Sequence, residues 1–329
     1  MAERVLYIGS PFFGYYRHII AEFEARGYAV DYYNDRPSEN SLIKGMQKIR
    51  KGMTAKLVEH YFDRIMSETN EIEYGFVFIM NCKAFTYDMI TKLRASQPKA
   101  RFVLYMWDTF ALYPDAVGLI PLFDRAYSFD PDDCERYREL TLLPLFYTRP
   151  YERIGADLPE EKDIRYDLVS VCTAHPNRYA LIKELFPLLQ SKGIRIFSYL
   201  YINRLQYLYN KMNVGEFKSA RAAEFRFKPL SEQDNLDVLR MSDTVFDVQH
   251  NLQSGLTMRT IETVGARRKL ITMNVNIRKF DIYDDNNVYV LSADNWDGIV
   301  PFLRRKYQPI PEATYKKYSI STWIDTILS

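Results

Sequence analysis

Residues 249–276 read QHNLQSGLTMRTIETVGARRKLITMNVN, and the order of residue types in this stretch decides the fold. Just before the turn, 244–248 form a β-branched and apolar run of the kind a buried strand needs. Polar and turn-forming residues follow: His250, Asn251, Gln253, Ser254 and Gly255. A helical segment then runs from about 256 to 266, and 269–273 supply another apolar strand. A strand, a Gly-containing turn and the exposed amides of a helix N-terminus together make an anion site. Arg259 and Glu262 lie three apart and so share a helix face. An arginine can clamp a diphosphate, and a carboxylate can hold sugar or ribose hydroxyls. The alternative for the pair is a solvated ion pair on an ordinary helix. Against it stands the strand before the turn, which ends in polar residues, because ligands of open α/β sheets bind beyond the carboxyl ends of strands.

The same alternation extends outward in both directions. In the first half, strands are expected at 4–9, 28–33, 75–80, 102–107 and 125–129, and helices at 15–26, 53–67, 86–95 and 132–139. Residues 143–163 carry Pro144, Pro150 and Pro159 and a charged PEEKD run without periodicity, which reads as a linker. The pattern then restarts with strands at 166–172 and 194–199 and helices at 179–190, 205–212 and 232–241. Helices at 296–305 and 318–328 close the chain. Strands separated by helices imply right-handed crossovers and parallel sheets. The expected organisation is α/β, with two doubly wound domains. These span 1–150 and 151–312, and a last helical segment, 313–329, returns to the first domain.

A second strand-to-helix turn, 169–178 (VSVCTAHPNR), brings Thr173, His175, Asn177 and Arg178 to a helix start, with Pro176 where proline suits one. His175 and Arg178 could both reach a phosphate; simple capping by Thr173 or Asn177 is the other reading. Near the front, 9–16 (GSPFFGYY) form another such turn, but without the G-x-G-x-x-G spacing of a dinucleotide site. An acceptor-lining loop made of Ser10, Phe12, Phe13, Tyr15 and Tyr16 suits it better, with His18 one turn into the helix. His18 is a candidate catalytic residue, although a lone histidine is more often structural than catalytic. Asp108 ends a strand of the same half and is the candidate catalytic base, with helix capping as the alternative. Asp130-Pro131-Asp132 looks like a D-x-D metal motif, yet it opens a helix, where acidic residues complement the N-terminal charge. No metal is expected.

With 329 residues, 47% hydrophobic and 26% charged, the chain has room for two cores. A net charge of +2 does not suggest a dedicated nucleic-acid binder. Cys82, Cys134 and Cys172 are odd in number and far apart, forming neither a disulfide framework nor a metal knuckle, which suits a reducing compartment. The start MAERVLYIGS has no signal-peptide pattern, and no apolar run approaches the roughly 18 residues that span a bilayer. A cytoplasmic location is expected.

The run Gly255-Leu256-Thr257-Met258-Arg259-Thr260-Ile261-Glu262-Thr263, followed by Lys269-Leu270-Ile271-Thr272, resembles the donor-domain signature of bacterial lipopolysaccharide and capsule glycosyltransferases, the lipopolysaccharide core biosynthesis or CgeB-like group. Thr173-Ala174-His175 with Arg178-Tyr179, and Tyr127-Ser128-Phe129-Asp130, are similar to the same group. The resemblance spans most of the chain. It implies a GT-B fold of two Rossmann-like domains facing across a cleft, with a nucleotide-sugar donor held mainly by the second and a saccharide or lipid-linked acceptor by the first. The donor would be a co-substrate, and no cofactor is implied. On this resemblance Thr173, His175, Arg178, Ser254, Gly255, Thr257, Arg259 and Glu262 line the donor site. Retaining members of such families carry an E-x7-E pair; here the first position is Ser254, so only Glu262 matches and stereochemistry stays open. A nucleotide-sugar epimerase of the same architecture and a non-catalytic envelope or spore assembly protein are the competing readings. Finally, Lys44, Lys48, Arg50, Lys51 and Lys56, among Met46, Ile49, Met53 and Leu57, form either a peripheral membrane contact at the inner face or a solvated loop and helix face.

Overall fold

Among the residues described by the structure, a computed structural model covering 3–37, 51–248 and 253–329, eleven strands form two sheets, each parallel throughout. Of the basic run, Lys44, Lys48 and Arg50 with Met46 and Ile49 lie outside the described residues, as do the side chains of Lys51 and Met53; so do His250 and Asn251 of the donor turn.

The first unit comprises Met1–Leu145, Asn251–Gly255 and Ile320–Ser329. Its strands β1 (Arg4–Ile8), β2 (Ala29–Tyr33), β3 (Phe76–Met80), β4 (Arg101–Met106), β5 (Arg125–Ser128) and β6 (Leu140–Leu142) lie in the order β2-β1-β3-β4-β5-β6. Helices α1 (Tyr15–Glu24), α2 (Lys51–Thr69), α3 (Tyr87–Ser96) and α4 (Pro131–Arg136) connect them. The central strands are apolar at consecutive positions because both faces are covered. Leu6, Ile8, Val77, Ile79, Leu104 and Met106 pack with Phe62 and Ile65 of α2 and Ile90 and Leu93 of α3. The alternate residues Tyr7, Phe78 and Tyr105 face the other way. On that side Phe78 meets Phe23 of α1, and Trp323 of the last helix lies with its ring 5.8 Å from Phe78 and 4.8 Å from Tyr105.

The second unit comprises Phe146–His250 and Leu256–Ser319. In chain order it contains α5 (Arg149–Ala156), β7 (Tyr166–Thr173), α6 (Pro176–Ser191), β8 (Ile196–Tyr201), α7 (Arg204–Asn213), α8 (Glu232–Arg240), β9 (Ser242–Asp247), α9 (Met258–Gly265), β10 (Lys269–Thr272), β11 (Val288–Val290), α10 (Ile299–Leu303) and α11 (Glu312–Lys317). The last helix, α12 (Ile320–Leu328), belongs to the first unit. The sheet order is β11-β10-β9-β7-β8. Lys269, the first residue of β10, is fully buried, and its ammonium is held by Asp243 at 2.7 Å and by the carbonyls of Leu303 at 2.7 Å and Phe302 at 3.3 Å.

The stretch 143–163 is not a bare linker. Pro150 sits at the start of α5, where a missing N–H costs nothing, and the helix buries Tyr151, Ile154 and Gly155. Gly155 meets α9 backbone to backbone: a Cβ there would come 2.2 Å from the Gly265 carbonyl oxygen. Gly155→Val should therefore push the helices apart and lower stability by about 2 kcal/mol, read as a shift in the urea unfolding midpoint. An unchanged midpoint would show that the α5–α9 contact is dispensable.

Candidate functional site

In each sheet the strand order reverses once, between β1 and β3 in the first unit and between β7 and β9 in the second. Beyond the carboxyl ends of those paired strands a doubly wound sheet leaves a crevice, because the flanking connections leave in opposite directions.

At the second-unit crevice, Thr173 is the last residue of β7 and Asp247 the last of β9. Arg178, on the first turn of α6, spans the two ends. Its Nη1 donates to the Thr173 carbonyl at 2.9 Å and its Nη2 to the Val248 carbonyl, while Nε is buried without a hydrogen-bond partner. His175 is the exposed N-cap residue of α6, and no side chain caps that helix. Capping by Thr173 or Asn177 is therefore not how α6 begins; Pro176 at its first position sets the helical backbone instead. At α9 the cap is Thr257, whose side chain accepts from the Thr260 amide at 3.0 Å. Asp247 accepts from the hydroxyls of Thr257 and Thr260, the latter at 3.1 Å, and so ties the end of β9 to the start of α9. Asp247 was not singled out from sequence; its place as the last residue of a strand before the donor turn was the available signal.

Arg259 and Glu262 do share a face, and they meet: Nη1 lies 3.0 Å from the Glu262 carboxylate and 3.1 Å from the Asn235 amide oxygen of α8, while Nη2 points to the Val171 carbonyl at 3.5 Å. The pair is not the solvated surface pair of the simpler reading, since Glu262 is 3% exposed. Tyr151 of α5 closes the cluster, accepting from Asn235 at 3.0 Å. Its phenol is pushed well up by burial and by the Glu262 charge. The first task of Glu262 is thus to hold Arg259, ahead of the ribose contact expected from sequence. The Cys172 thiol is raised by burial, against the pull of the nearby positive charges of Arg178 and Arg259. Both guanidinium groups reach carbonyls of β7, Arg178 that of Thr173 and Arg259 that of Val171.

Ser254 and Gly255 lie elsewhere, in the first unit. Their amides donate to the Asp130 carboxylate at 2.9 and 3.3 Å, and the Ser254 hydroxyl donates to it as well. Gly255 lies so close to Phe129 that a Cβ would sit 2.6 Å from its ring. The amides of these two expected donor-site residues thus hold a carboxylate of the protein itself. Asp130 also caps α4 by accepting from the Asp132 amide at 3.0 Å, so the D-x-D lookalike is a capping and clamping device.

In the first unit, Asp108 follows β4 and pairs with Lys83 at 2.8 Å, and its carboxylate accepts from Asn81 Nδ2 at 2.9 Å. Burial opposes the Lys83 charge, but Asp108 and Tyr113 outweigh it and raise its pKa; its ammonium lies 4.7 Å from the Tyr113 ring centre. Asn81, buried with a left-handed φ of 68°, also accepts from the amides of Trp107 and Asp108 at 2.8 and 3.1 Å. Asn81 and Lys83 are site residues that sequence reasoning missed. Asp108 is therefore an ion-paired carboxylate and not a capping one.

Around the end of β1 gather the aromatic residues of the expected acceptor loop. Phe12 is 48% and Phe13 68% exposed. Phe12 and Tyr15 pack edge-on against Trp107 at 5.7 and 5.5 Å, and Tyr16 stacks on Tyr32 at 4.6 Å. Phe13 has φ 45°, a strained backbone for a bulky residue, followed by Gly14 at φ 82°. Ser10 and His18 are half-buried beside this group, Ser10 in the loop and His18 on α1. Among the described residues, no three His, Cys, Asp or Glu side chains group to hold a metal ion, and no helix is long and apolar enough to cross a membrane.

No family model matches the chain, and no curated protein matches its sequence. Solved structures do match, along almost the whole length. A glycosyltransferase from Rickettsia africae matches at TM-score 0.60 and 11% identity, covering 99% of this chain and 97% of that one. HepE from Anabaena, in complex with UDP and glucose, matches at TM-score 0.61 and 8% identity, covering 100% and 98%. The fold is GT-B. UDP-GlcNAc 2-epimerase from Neisseria meningitidis, bound to UDP-GlcNAc, matches the same GT-B chain at TM-score 0.55 and 7% identity, covering 99% and 98%. Identities this low carry the GT-B architecture and no more.

Proposed function

We propose that this GT-B chain is a metal-independent glycosyltransferase. It moves a sugar from a nucleotide-sugar donor to a saccharide or lipid-linked acceptor of bacterial surface polysaccharide. The observation that carries the reading is Arg178, a guanidinium locked across the ends of β7 and β9, with Arg259 reaching the Val171 carbonyl of the same β7. A nucleoside diphosphate leaving group gains negative charge as the glycosidic bond breaks. Cations already held by carbonyls, Asn235 and Glu262 need no reorganisation to meet that charge. The first-turn amides of α6 and α9 add to the same field.

On the acceptor side, Phe12 and Phe13 offer exposed rings on which a sugar can stack, and the strained backbone at Phe13 suits a loop kept for binding rather than packing. Asp108 takes the acceptor hydroxyl's proton in an inverting reaction, passing its ion pair with Lys83 through a change of charge; a retaining reaction does not need it in that role.

The test is a thermal-shift screen with UDP-, GDP-, TDP- and CMP-sugars, in which the cognate donor raises Tm by mass action. Arg259→Ala should then weaken that donor roughly tenfold, about 1.5 kcal/mol, in calorimetry, through loss of a charge-assisted contact. Unchanged affinity sinks the assignment of Arg259. The match to an epimerase of the same fold supports a second reading, in which the donor alone is converted without any acceptor. Incubation with the donor by itself separates the two. Absence of any nucleotide-sugar binding would argue for the non-catalytic assembly protein instead.

A further inference from the structure

Helix α7 carries an apolar face on its outside. Leu205, Leu208, Tyr209 and Met212 occupy positions i, i+3, i+4 and i+7, which make one face of a helix. That face points away from the protein: Leu205 is 79% and Met212 73% exposed, with Leu208 and Tyr209 exposed as well. Inward, Tyr207 packs against Phe225 and Phe227, and the other inward contacts are polar. Asn210 is buried and accepts from Gln206 at 2.7 Å, and Lys211 donates to the carbonyls of Lys218 and Ala220 at 2.8 and 2.6 Å. Four of the fourteen exposed large hydrophobic side chains among the described residues sit on this one ten-residue helix. Scattered exposed apolar residues need no explanation, but a contiguous stripe does.

The charge around the stripe selects its partner. Residues 203–228 hold six lysines and arginines against two glutamates, whereas the whole chain is only +2. One of those glutamates, Glu224, is already paired with Arg221. Lys218 and Lys228 are exposed. Two copies of such a surface repel one another, which disfavours a homodimer through α7. A partner must instead be apolar within and anionic at its surface.

We propose that α7 is a docking face for an anionic lipid bilayer, lying in the headgroup plane with Leu205, Leu208 and Met212 in the acyl region. An interfacial helix with leucines on one side and basic residues beside it binds by buried apolar area and by attraction to anionic headgroups together. The Tyr209 ring suits the headgroup level. The inference stands on α7 alone and does not rest on nucleotide binding. It also differs from the basic run of the first unit, since it puts the membrane contact on the second.

The test is sedimentation of the full chain with phosphatidylcholine vesicles, with and without phosphatidylglycerol. The wild type should pellet with the anionic vesicles, and less so as salt rises. Leu205→Ser/Met212→Ser should weaken binding at least roughly tenfold, since both remove apolar surface from the acyl region. Lys218→Glu/Lys228→Glu should weaken it on anionic vesicles alone. All four positions are exposed, and an unchanged Tm and unchanged nucleotide-sugar response would confirm folded variants and keep the donor reading separate. No pelleting of the wild type, equal pelleting on both vesicle types, or variants that pellet like the wild type would each overturn the proposal. So would release only by Lys48→Glu/Arg50→Glu/Lys51→Glu, which would place the contact on the first unit. A concentration-dependent dimer abolished by Leu205→Ser/Met212→Ser would show that the stripe faces a second copy instead.

Discussion

Asp130→Ala should lower the unfolding free energy by about 4 kcal/mol, roughly twice the loss expected from Gly155→Val. Asp130 is 1% exposed and accepts from three backbone amides, those of Asp132, Ser254 and Gly255, and from the Ser254 hydroxyl. Alanine removes the acceptor and leaves the buried Ser254 and Gly255 amides without it, with Gly255 pressed against Phe129, while the Asp132 amide keeps the Ser254 hydroxyl at 3.2 Å. Each orphaned buried donor costs about 1–3 kcal/mol, and the lost helix cap about 1 more, reduced by whatever the segment can relax. Asp130→Asn keeps one acceptor oxygen and should cost about 2 kcal/mol. Urea unfolding of both variants checks the order, and equal stability of all three proteins would show that the clamp carries no energy.

Arg178→Ala should weaken the cognate nucleotide sugar roughly a hundredfold, about 3 kcal/mol, more than Arg259→Ala. Arg259 is one cation beside a phosphate, whereas Arg178 also sets the spacing of the strand ends that frame the crevice, by holding the Thr173 and Val248 carbonyls together. Arg178→Lys should restore little. An ammonium is a point charge on a flexible stem and cannot reproduce the planar fork that reaches two carbonyls while keeping a third N–H in hand. Calorimetry decides it: full affinity in Arg178→Lys would reduce Arg178 to a charge, and full affinity in Arg178→Ala would remove it from the site.

Much of the architecture was legible because it rests on local pattern. The apolar runs that became β1, β3, β4, β7, β9 and β10 are long enough to carry a signal, and the helices between them have amphipathic spacing. The three-residue strands β6 and β11 are too short to show a period. Helix α5 was hidden by the prolines in and around it, which count against a helix everywhere except at the first turn, where Pro150 stands.

For the candidate site the division is sharper. Sequence alone determined that Arg259 and Glu262 share a face, that Asp108 closes a strand, and that Thr173 to Arg178 form a strand-to-helix turn, since each follows from the geometry of a few consecutive residues. Only the tertiary structure decided what those residues meet. Ser254 finds Asp130 at a distance of 124 residues along the chain, Asn235 and Tyr151 arrive from two other helices to bury the Arg259–Glu262 pair, and Lys83 comes from the loop after β3 to Asp108. Helical spacing is a property of the backbone, but the partner of a charge is whatever group of opposite sign the packing of distant elements brings within about 3 Å, and no local period encodes it.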